Sequence, residues 1–300
     1  MNLAVFGAGA SYGSDVSNVP PLGNKLFDAL TAFAPSTWGK LPEKYRELFQ
    51  EDFEQGMQTL SSEQNTWLPP LQRAMAAFFF NFLPQETSLY FRMANHIKKS
   101  GWNLKGSLVT INYERMLPIC LTANNLQPAL GVGQIQGNQI ELCLPHGTCN
   151  LFCAGMQALG NIAFSGVSFD GGGVECIVDP IKFQQRLARD AIPPIMSYFE
   201  PQKSNSSGTS FIANQRKRYQ ELVVSSQKIA IIGLKVRSFD THIWNPIAQT
   251  DAEIIYCSGK QAGAEFLEWS RQNRDGKSNK ILEGYFADCF DDICRELGIA

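Results

Sequence analysis

The 300 residues include 26 Lys+Arg against 28 Asp+Glu, with 44% hydrophobic and 18% charged residues. This suits one large or two modest globular domains, and the near balance of charge excludes a chain-wide basic field for nucleic acid. No apolar run reaches the ~18 residues of a membrane helix, no charged region or cleavage site of an export signal precedes the first strand, and eight cysteines in apolar contexts read as reduced, mostly buried thiols of a cytoplasmic protein.

Residues 3–6 (LAVF) read as a buried strand that empties into Gly7-Ala8-Gly9-Ala10-Ser11. A glycine turn leading into a helix can cradle a phosphate, and it can equally be a tight strand-to-helix turn with no ligand. A helix is predicted from about residue 24, with Leu26, Phe27 and Leu30 on one face. From 36 to 99 the chain is rich in Glu, Gln, Leu, Phe and Met at spacings of three and four, which predicts a helical insertion with helices over 71–82 and 88–99. Phe78-Phe79-Phe80 then belongs to helical core.

Strand character returns over 106–111 and runs into Asn112. Residues 131–144 read as a hairpin, with Gly137-Asn138 as the turn and 139–144 as its second strand. Gly171-Gly172-Gly173 and residues 203–209 read as flexible loops, and a short helix over 183–191 is stopped before Pro193-Pro194. A helix over 214–226 carries Gln215-Arg216-Lys217-Arg218, read as a solvated face with a local nucleic-acid patch as the alternative. Strands over 229–232 and 252–256 follow, ending at Gly233 and at Cys257-Ser258-Gly259, and an amphipathic helix over 287–297 closes the pattern.

Short apolar strands, each followed by a turn and a helix, predict an α/β fold: a Rossmann-like parallel sheet with helices on both faces. The expected organisation is one domain over 1–300, with 1–35 and 100–300 as the core and 36–99 as the insertion. Ligands in such sheets gather at the carboxyl ends of the strands, which brings Gly9 to Ser11, Asn112, Gly233 and Ser258 to one rim.

The third glycine of a dinucleotide fingerprint is displaced to Gly13, and the insertion occupies the place of the second strand and its acidic residue, so hydride chemistry on a nicotinamide carrier is disfavoured. Asn112 ends a strand, where its amide can hold a water or a ribose hydroxyl or can cap the next helix. His146, in Leu144-Pro145-His146-Gly147, is one of three histidines and reads as a base or as a structural imidazole. Cys143, Cys149, Cys153 and Cys176 do not form two C-x-x-C pairs, so no metal is expected.

Taken in order, these pieces resemble the sirtuin family, and within it the sirtuin-like NAD-consuming domains of bacterial anti-phage defence systems, over most of the chain outside 36–99. Gly7-Ala8-Gly9-Ala10-Ser11 matches the G-A-G-x-S turn, Val19-Pro20 stands at the G-I-P segment, and Thr110-Ile111-Asn112-Tyr113-Glu114 is similar to T-Q-N-I-D and closer to T-x-N-Y-D. His146-Gly147 matches the catalytic H-G, and residues 194–200 (PIMSYFE) faintly echo P-x-V-V-x-F-G-E. Ile231-Ile232-Gly233 with Asp240, the Ser258 loop, and Tyr285-Phe286 resemble the adenosine-side segments.

The resemblance implies NAD+ as substrate, Asn112 and His146 as catalytic residues, and Gly7, Ala8, Gly9, Ala10, Ser11, Glu114, Gly233, Asp240, Ser258, Tyr285 and Phe286 around the nucleotide. Zinc-ribbon spacing and the D-F-R and F-G-E features of deacylating members are missing, so hydrolysis of NAD+ itself is expected in preference to deacylation or ADP-ribosyl transfer. A non-catalytic nucleotide-binding subunit is the remaining alternative. A homo-oligomer and a separate sensor or activator protein are the expected partners, with no direct nucleic-acid or membrane contact.

Overall fold

In the computed structural model, residues 1–131, 133–155, 172–197, 208–237 and 239–299 are described. Gly171, most of the 203–209 loop and the end of the 194–200 segment lie outside them. Among the described residues the strands are β1 (Asn2–Phe6), β2 (Gly106–Thr110), β3 (Gln127–Ala129), β4 (Gln139–Cys143), β5 (Leu151–Cys153), β6 (Val174–Cys176), β7 (Lys228–Ile232), β8 (Glu253–Cys257) and β9 (Asn279–Ile281). The helices are α1 (Ala8–Tyr12), α2 (Gly23–Phe33), α3 (Glu43–Glu51), α4 (Phe53–Glu63), α5 (Leu68–Phe80), α6 (Leu89–Ser100), α7 (Met116–Ala123), α8 (Pro180–Arg189), α9 (Thr209–Ser225), α10 (Thr241–Gln249), α11 (Lys260–Asn273) and α12 (Phe290–Leu297). None of the described helices is long and apolar enough to cross a membrane.

Seven strands form one parallel sheet in the order β3-β4-β2-β1-β7-β8-β9, and β5 pairs with β6 in a separate antiparallel ribbon. The two-residue period of a strand assigns the sheet residues to two cores. Ala4, Phe6, Leu108, Ala230 and Ile232 meet α6, α7 and α12 on one face. Leu3, Val5, Val109, Ile229 and Ile231 meet α9, α10 and α11 on the other. The Rossmann-like α/β architecture expected from the sequence is the one observed.

A third core lies away from the sheet. Leu26, Phe27 and Leu30 of α2 pack with Trp38, Phe49, Met57 and Phe79, and the same cluster includes Cys149, Phe152, Ile177, Phe183 and Met196. Helices α2 to α5 therefore share their apolar interior with a segment some hundred residues downstream. Helix α6 sits instead under the sheet, with Tyr90, Met93 and Ile97 fully buried. Its ends are well specified: the Ser88 hydroxyl accepts from Phe91 N at its start, and Gly101 closes it with φ +66°.

The hairpin expected over 131–144 is not formed. Its second half is β4, but β4 lies inside the sheet, parallel to β2 on one side and to β3 on the other. The turn at Gly137-Asn138 delivers the chain into that slot, and the first partner is the short edge strand β3, whose Pro128 suits an edge. Within β4, Glu141 is buried and bound by Ser107 Oγ (2.7 Å) and by Arg218 Nε and Nη2 (2.6 and 3.1 Å). Arg218 comes from the supposed solvated face of α9, so that basic stretch is partly structural.

Arg274 is the most deeply buried cation among the described residues, 1% exposed. Its guanidinium donates to the carbonyls of Ile247, Thr250 and Ala252 and to Asn279 Oδ1, and Lys277 Nζ donates to Ala248 O and Gln249 O. Two cations thus occupy the negative end of α10, the helix whose other end carries Asp240 and His242. Burial pushes the Arg274 guanidinium down to about 10, so it stays charged at neutral pH. Arg274→Met should cost about 2–4 kcal/mol, because three buried carbonyls lose their donor. A urea denaturation midpoint unchanged from the parent protein would refute this.

Candidate active site

The chain runs from β1 outward through β2 and β4, then returns to β7 on the opposite side of β1. The carboxyl ends of β1 and β7 therefore flank a topological switch point, where parallel sheets open a crevice. Gly7 N donates to Ile232 O (2.9 Å) and Gly9 N to Gly233 O (2.8 Å), which locks the two strand ends together. Gly233 has φ +65°, and a Cβ there would lie 1.9 Å from Ala10 N. Glycine at this seam is thus dictated by backbone approach.

Ala10 N donates to Gly7 O (2.9 Å), so the N–H groups of Gly7, Gly9 and Ala10 are all taken up inside the protein. The expected row of N–H donors to a phosphate from Gly7 to Ser11 shrinks accordingly. Helix α1 spans only five residues and adds little dipole. Ala8 is exposed beyond the end of β1, while the Ser11 side chain is fully buried.

Asn112 follows β2 at the same rim and is 7% exposed. Its Nδ2 donates to Gly7 O (3.0 Å) and to Ser11 Oγ (2.8 Å), which ties the glycine turn to the end of the neighbouring strand. With both N–H groups engaged, the amide offers Oδ1 as an acceptor for a hydroxyl or a water. It does not cap α7. That role falls to Glu114, whose Oε2 accepts from Met116 N and whose Oε1 accepts from Ser11 Oγ (2.6 Å). Because Ser11 spends its one proton on Glu114, Tyr90 Oη donates to Ser11 Oγ, 2.9 Å away. Burial raises the Glu114 carboxyl above its usual range, partly offset by these hydrogen bonds. Glu114 thus acts behind the site, holding Ser11 and through it Asn112.

His146 lies beyond β4 and is 6% exposed. Its backbone is clamped, since Ser197 N donates to His146 O (2.8 Å) and Gly147 bridges to Met196. A Cβ at Gly147, φ +71°, would lie 2.1 Å from Ile195 O, so the strand-like segment can approach only a glycine. From α9, Gln215 Oε1 accepts from Leu144 N (2.7 Å) and Arg216 donates to Pro145 O (3.4 Å) and Ser197 Oγ (2.8 Å). These two residues, read from the sequence only as part of a polar helix face, hold the histidine loop.

The His146 ring stacks on Tyr113 at 6.4 Å between centroids, so Tyr113 stands between Asn112 in sequence and His146 in space. His146 Nε2 faces His242 Nε2 at 2.8 Å. His242 is the second residue of α10 and, though one of the three histidines, carries no role in the sequence reading; only its place two residues after Asp240 could have signalled one. Asp240 is buried, and its backbone carbonyl starts the helix by accepting from Ile243 N and Trp244 N (both 2.9 Å). The carboxylate joins the two imidazoles in one cluster.

The adenosine-side expectations divide. Ser258 lies at the end of β8, where Gly259 N donates to Gly284 O (2.8 Å) and the Tyr285 ring lies against Gly259. Tyr285 is 65% exposed. Phe286 is not at the surface. Its ring packs on Phe6, Tyr90 and Phe290 (centroids 6.1, 5.9 and 5.8 Å), because the adjacent turn drives it into the core beneath the sheet. Among the described residues the eight cysteines form no disulfide and no metal cluster. Burial pushes the Cys120, Cys149 and Cys294 thiols up to about 12, which removes them as nucleophiles at neutral pH.

No family model and no curated protein sequence matches the chain. Among solved structures it is similar to a Sir2 in complex with the inhibitor EX-527, 2'-O-acetyl-ADP-ribose and a deacetylated p53 peptide, at 12% identity and TM-score 0.46, over 100% of this chain and 95% of that one. It is also similar to a structure described as the structural basis of sirtuin substrate affinity, at 11% identity and TM-score 0.43, over 99% of this chain and 92% of that one.

Proposed function

We propose that the chain is a sirtuin-like NAD+ glycohydrolase, cleaving NAD+ with water to nicotinamide, ADP-ribose and a proton. The observation that supports this best is the meeting of Asn112 with the Gly7-to-Ser11 turn at the switch point, with His146 one stacked ring away. The bond to break joins C1′ of a ribose to a cationic nicotinamide. Nicotinamide departs with the bonding electron pair and becomes neutral, while C1′ becomes oxocarbenium-like. Catalysis then needs the ring held, bulk water kept out and one water admitted.

Asn112 Oδ1 would accept a hydrogen bond from that water or from a ribose hydroxyl, fixing its position. His146 would take the proton as the new C1′–O bond forms and release it to solvent. The exposed Ala8 end of the turn would border the pyrophosphate, with Gly233, Ser258 and Tyr285 on the adenosine side. Asp240 would stand beside His146, nearer the reacting end than the sequence reading placed it. Incubating the protein with NAD+ and measuring nicotinamide release tests the reading. Release without any acyl-peptide is expected; release that requires the peptide would make it a deacylase, and binding without release a nucleotide-binding subunit.

Hydrolysis of a shared metabolite has to be restrained in the cell that makes the enzyme. We place the release of that restraint on self-association or a separate activator, in the setting of anti-phage defence by NAD+ depletion. Activity of a dilute monomer equal to that of any larger assembly, with or without proteins from neighbouring genes, would contradict this.

A further inference from the structure

His146, Asp240 and His242 offer one ligand atom each, all within 4.8 Å of one another. They come from two separate parts of the chain, the loop after β4 and the start of α10, and converge beside the crevice. The two imidazoles present the same atom to each other: Nε2 faces Nε2 at 2.8 Å, with the rings 4.9 Å apart and inclined by 39°. A single shared proton satisfies that contact in the metal-free chain, one ring donating and the other accepting.

The same arrangement suits a metal ion. Metal–imidazole bonds of about 2.0–2.1 Å drawn from both nitrogens across the observed gap would meet at roughly 85°, and opening the gap by about half an ångström gives a tetrahedral angle. Asp240 supplies the anionic third ligand, and its charge opposes the positive end of α10 on which the cluster sits. The set leaves further coordination positions open. Two imidazoles and one carboxylate favour borderline divalent ions such as Zn2+ or Co2+ over Mg2+ or Ca2+, which prefer oxygen. His146 is also held by a rigid outer shell, through Ser197 N at its carbonyl and the Tyr113 ring on its face.

We propose that His146, Asp240 and His242 form a binding site for a divalent transition-metal ion, and that its occupancy switches the active site off. The second half rests on the glycohydrolase reading. A metal on Nε2 displaces the proton shared with His242 and holds the lone pair that His146 would otherwise turn from His242 to the water, so metal binding and base catalysis exclude each other at one atom. The ion is here a reversible inhibitor and takes no part in cleaving the glycosidic bond.

Co2+ titration of the metal-stripped full chain tests the site without reference to activity. One saturable equivalent with visible d–d absorption is expected, displaced by Zn2+. Its affinity should fall at least tenfold in His242→Gln and in Asp240→Asn, and should be unchanged in Cys176→Ser, which removes the exposed thiol. Thermal melts of each variant confirm that it is folded. Absence of a saturable band, its retention in folded His242→Gln, or its loss in Cys176→Ser overturns the site. Nicotinamide release supplies the second readout. Zn2+ should reduce it at least tenfold and EDTA restore it, and release in His242→Gln, whatever its level, should no longer respond to Zn2+. Unchanged release by the Zn2+-loaded parent overturns the switch. If the parent releases no nicotinamide under any condition, the glycohydrolase reading and the switch that rests on it both fail, while the Co2+ titration still decides the site.

Discussion

Asn112→Ala and His146→Ala are each expected to lower nicotinamide release by ~10²–10⁴-fold while leaving a folded chain. The range corresponds to about 3–5 kcal/mol of transition-state stabilisation. The two variants fail for different reasons. In Asn112→Ala the acceptor that places the water is gone, and Gly7 O and Ser11 Oγ each lose the donor that Nδ2 supplied. Ser11 retains Glu114 and Tyr90, so the seam between β1 and β2 should hold with a cost near 1 kcal/mol, the ordinary worth of such a hydrogen bond. In His146→Ala the proton acceptor is lost, but the loop remains fixed by its backbone bonds to Ser197 and by Gln215. Circular dichroism melts beside a nicotinamide assay separate lost chemistry from lost folding. Full activity in both variants would overturn the assignment of the site.

Gly233→Ala is expected to damage both stability and activity through a single methyl. The residue sits at φ +65°, where an L side chain costs about 1–2 kcal/mol. The added Cβ would also meet Ala10 N at 1.9 Å and Gly9 C at 2.4 Å, both of them backbone that no side-chain rotation can clear. Overpacking of that kind costs typically another 1–3 kcal/mol, so a loss of about 2–5 kcal/mol is expected. The strain falls on Gly9 N→Gly233 O and Gly233 N→Cys257 O, both 2.8 Å, which join β1, β7 and β8 at the crevice. Nicotinamide release should therefore fall together with stability. Gly23→Ala is the matching control: it lies at the first turn of α2, where beyond its chain neighbours and its own helix backbone nothing comes within 4 Å of the added methyl, and should be neutral or slightly stabilising. Equal denaturation midpoints for the two variants would refute this account of Gly233.

The strands that carry the rim were legible because each is a short apolar run ending in a residue that breaks the pattern. Gly7, Asn112 and Gly233 all fall where the expected strands stop, and the structure brings them to one edge. The strand after Asn138 was found too, but its neighbours were not. A hairpin and a parallel slot have the same local turn, and only the parallel pairing of β4 with β2 on one side and β3 on the other makes it interior. Phe286 was misplaced for a related reason. An aromatic beside an exposed Tyr285 reads as part of one surface loop, yet a single step along the chain turns it into the core.

By itself, the sequence determined the α/β class, the strand ends and the chemical types gathered at them, since periodicity and chain breakers act over a few residues. Tertiary structure alone decided how those groups are used. It assigned Gly7, Gly9 and Gly233 to a backbone seam, turned Asn112 Nδ2 inward and its carbonyl outward, set Glu114 behind Ser11, and brought His242 to His146 across 96 positions. It also joined α2 to α5 with Cys149, Phe152, Ile177, Phe183 and Met196 in one core. Hydrogen bonds and close backbone approaches depend on distances between segments that no local spacing encodes, whereas burial of an apolar stripe is written into the stripe itself.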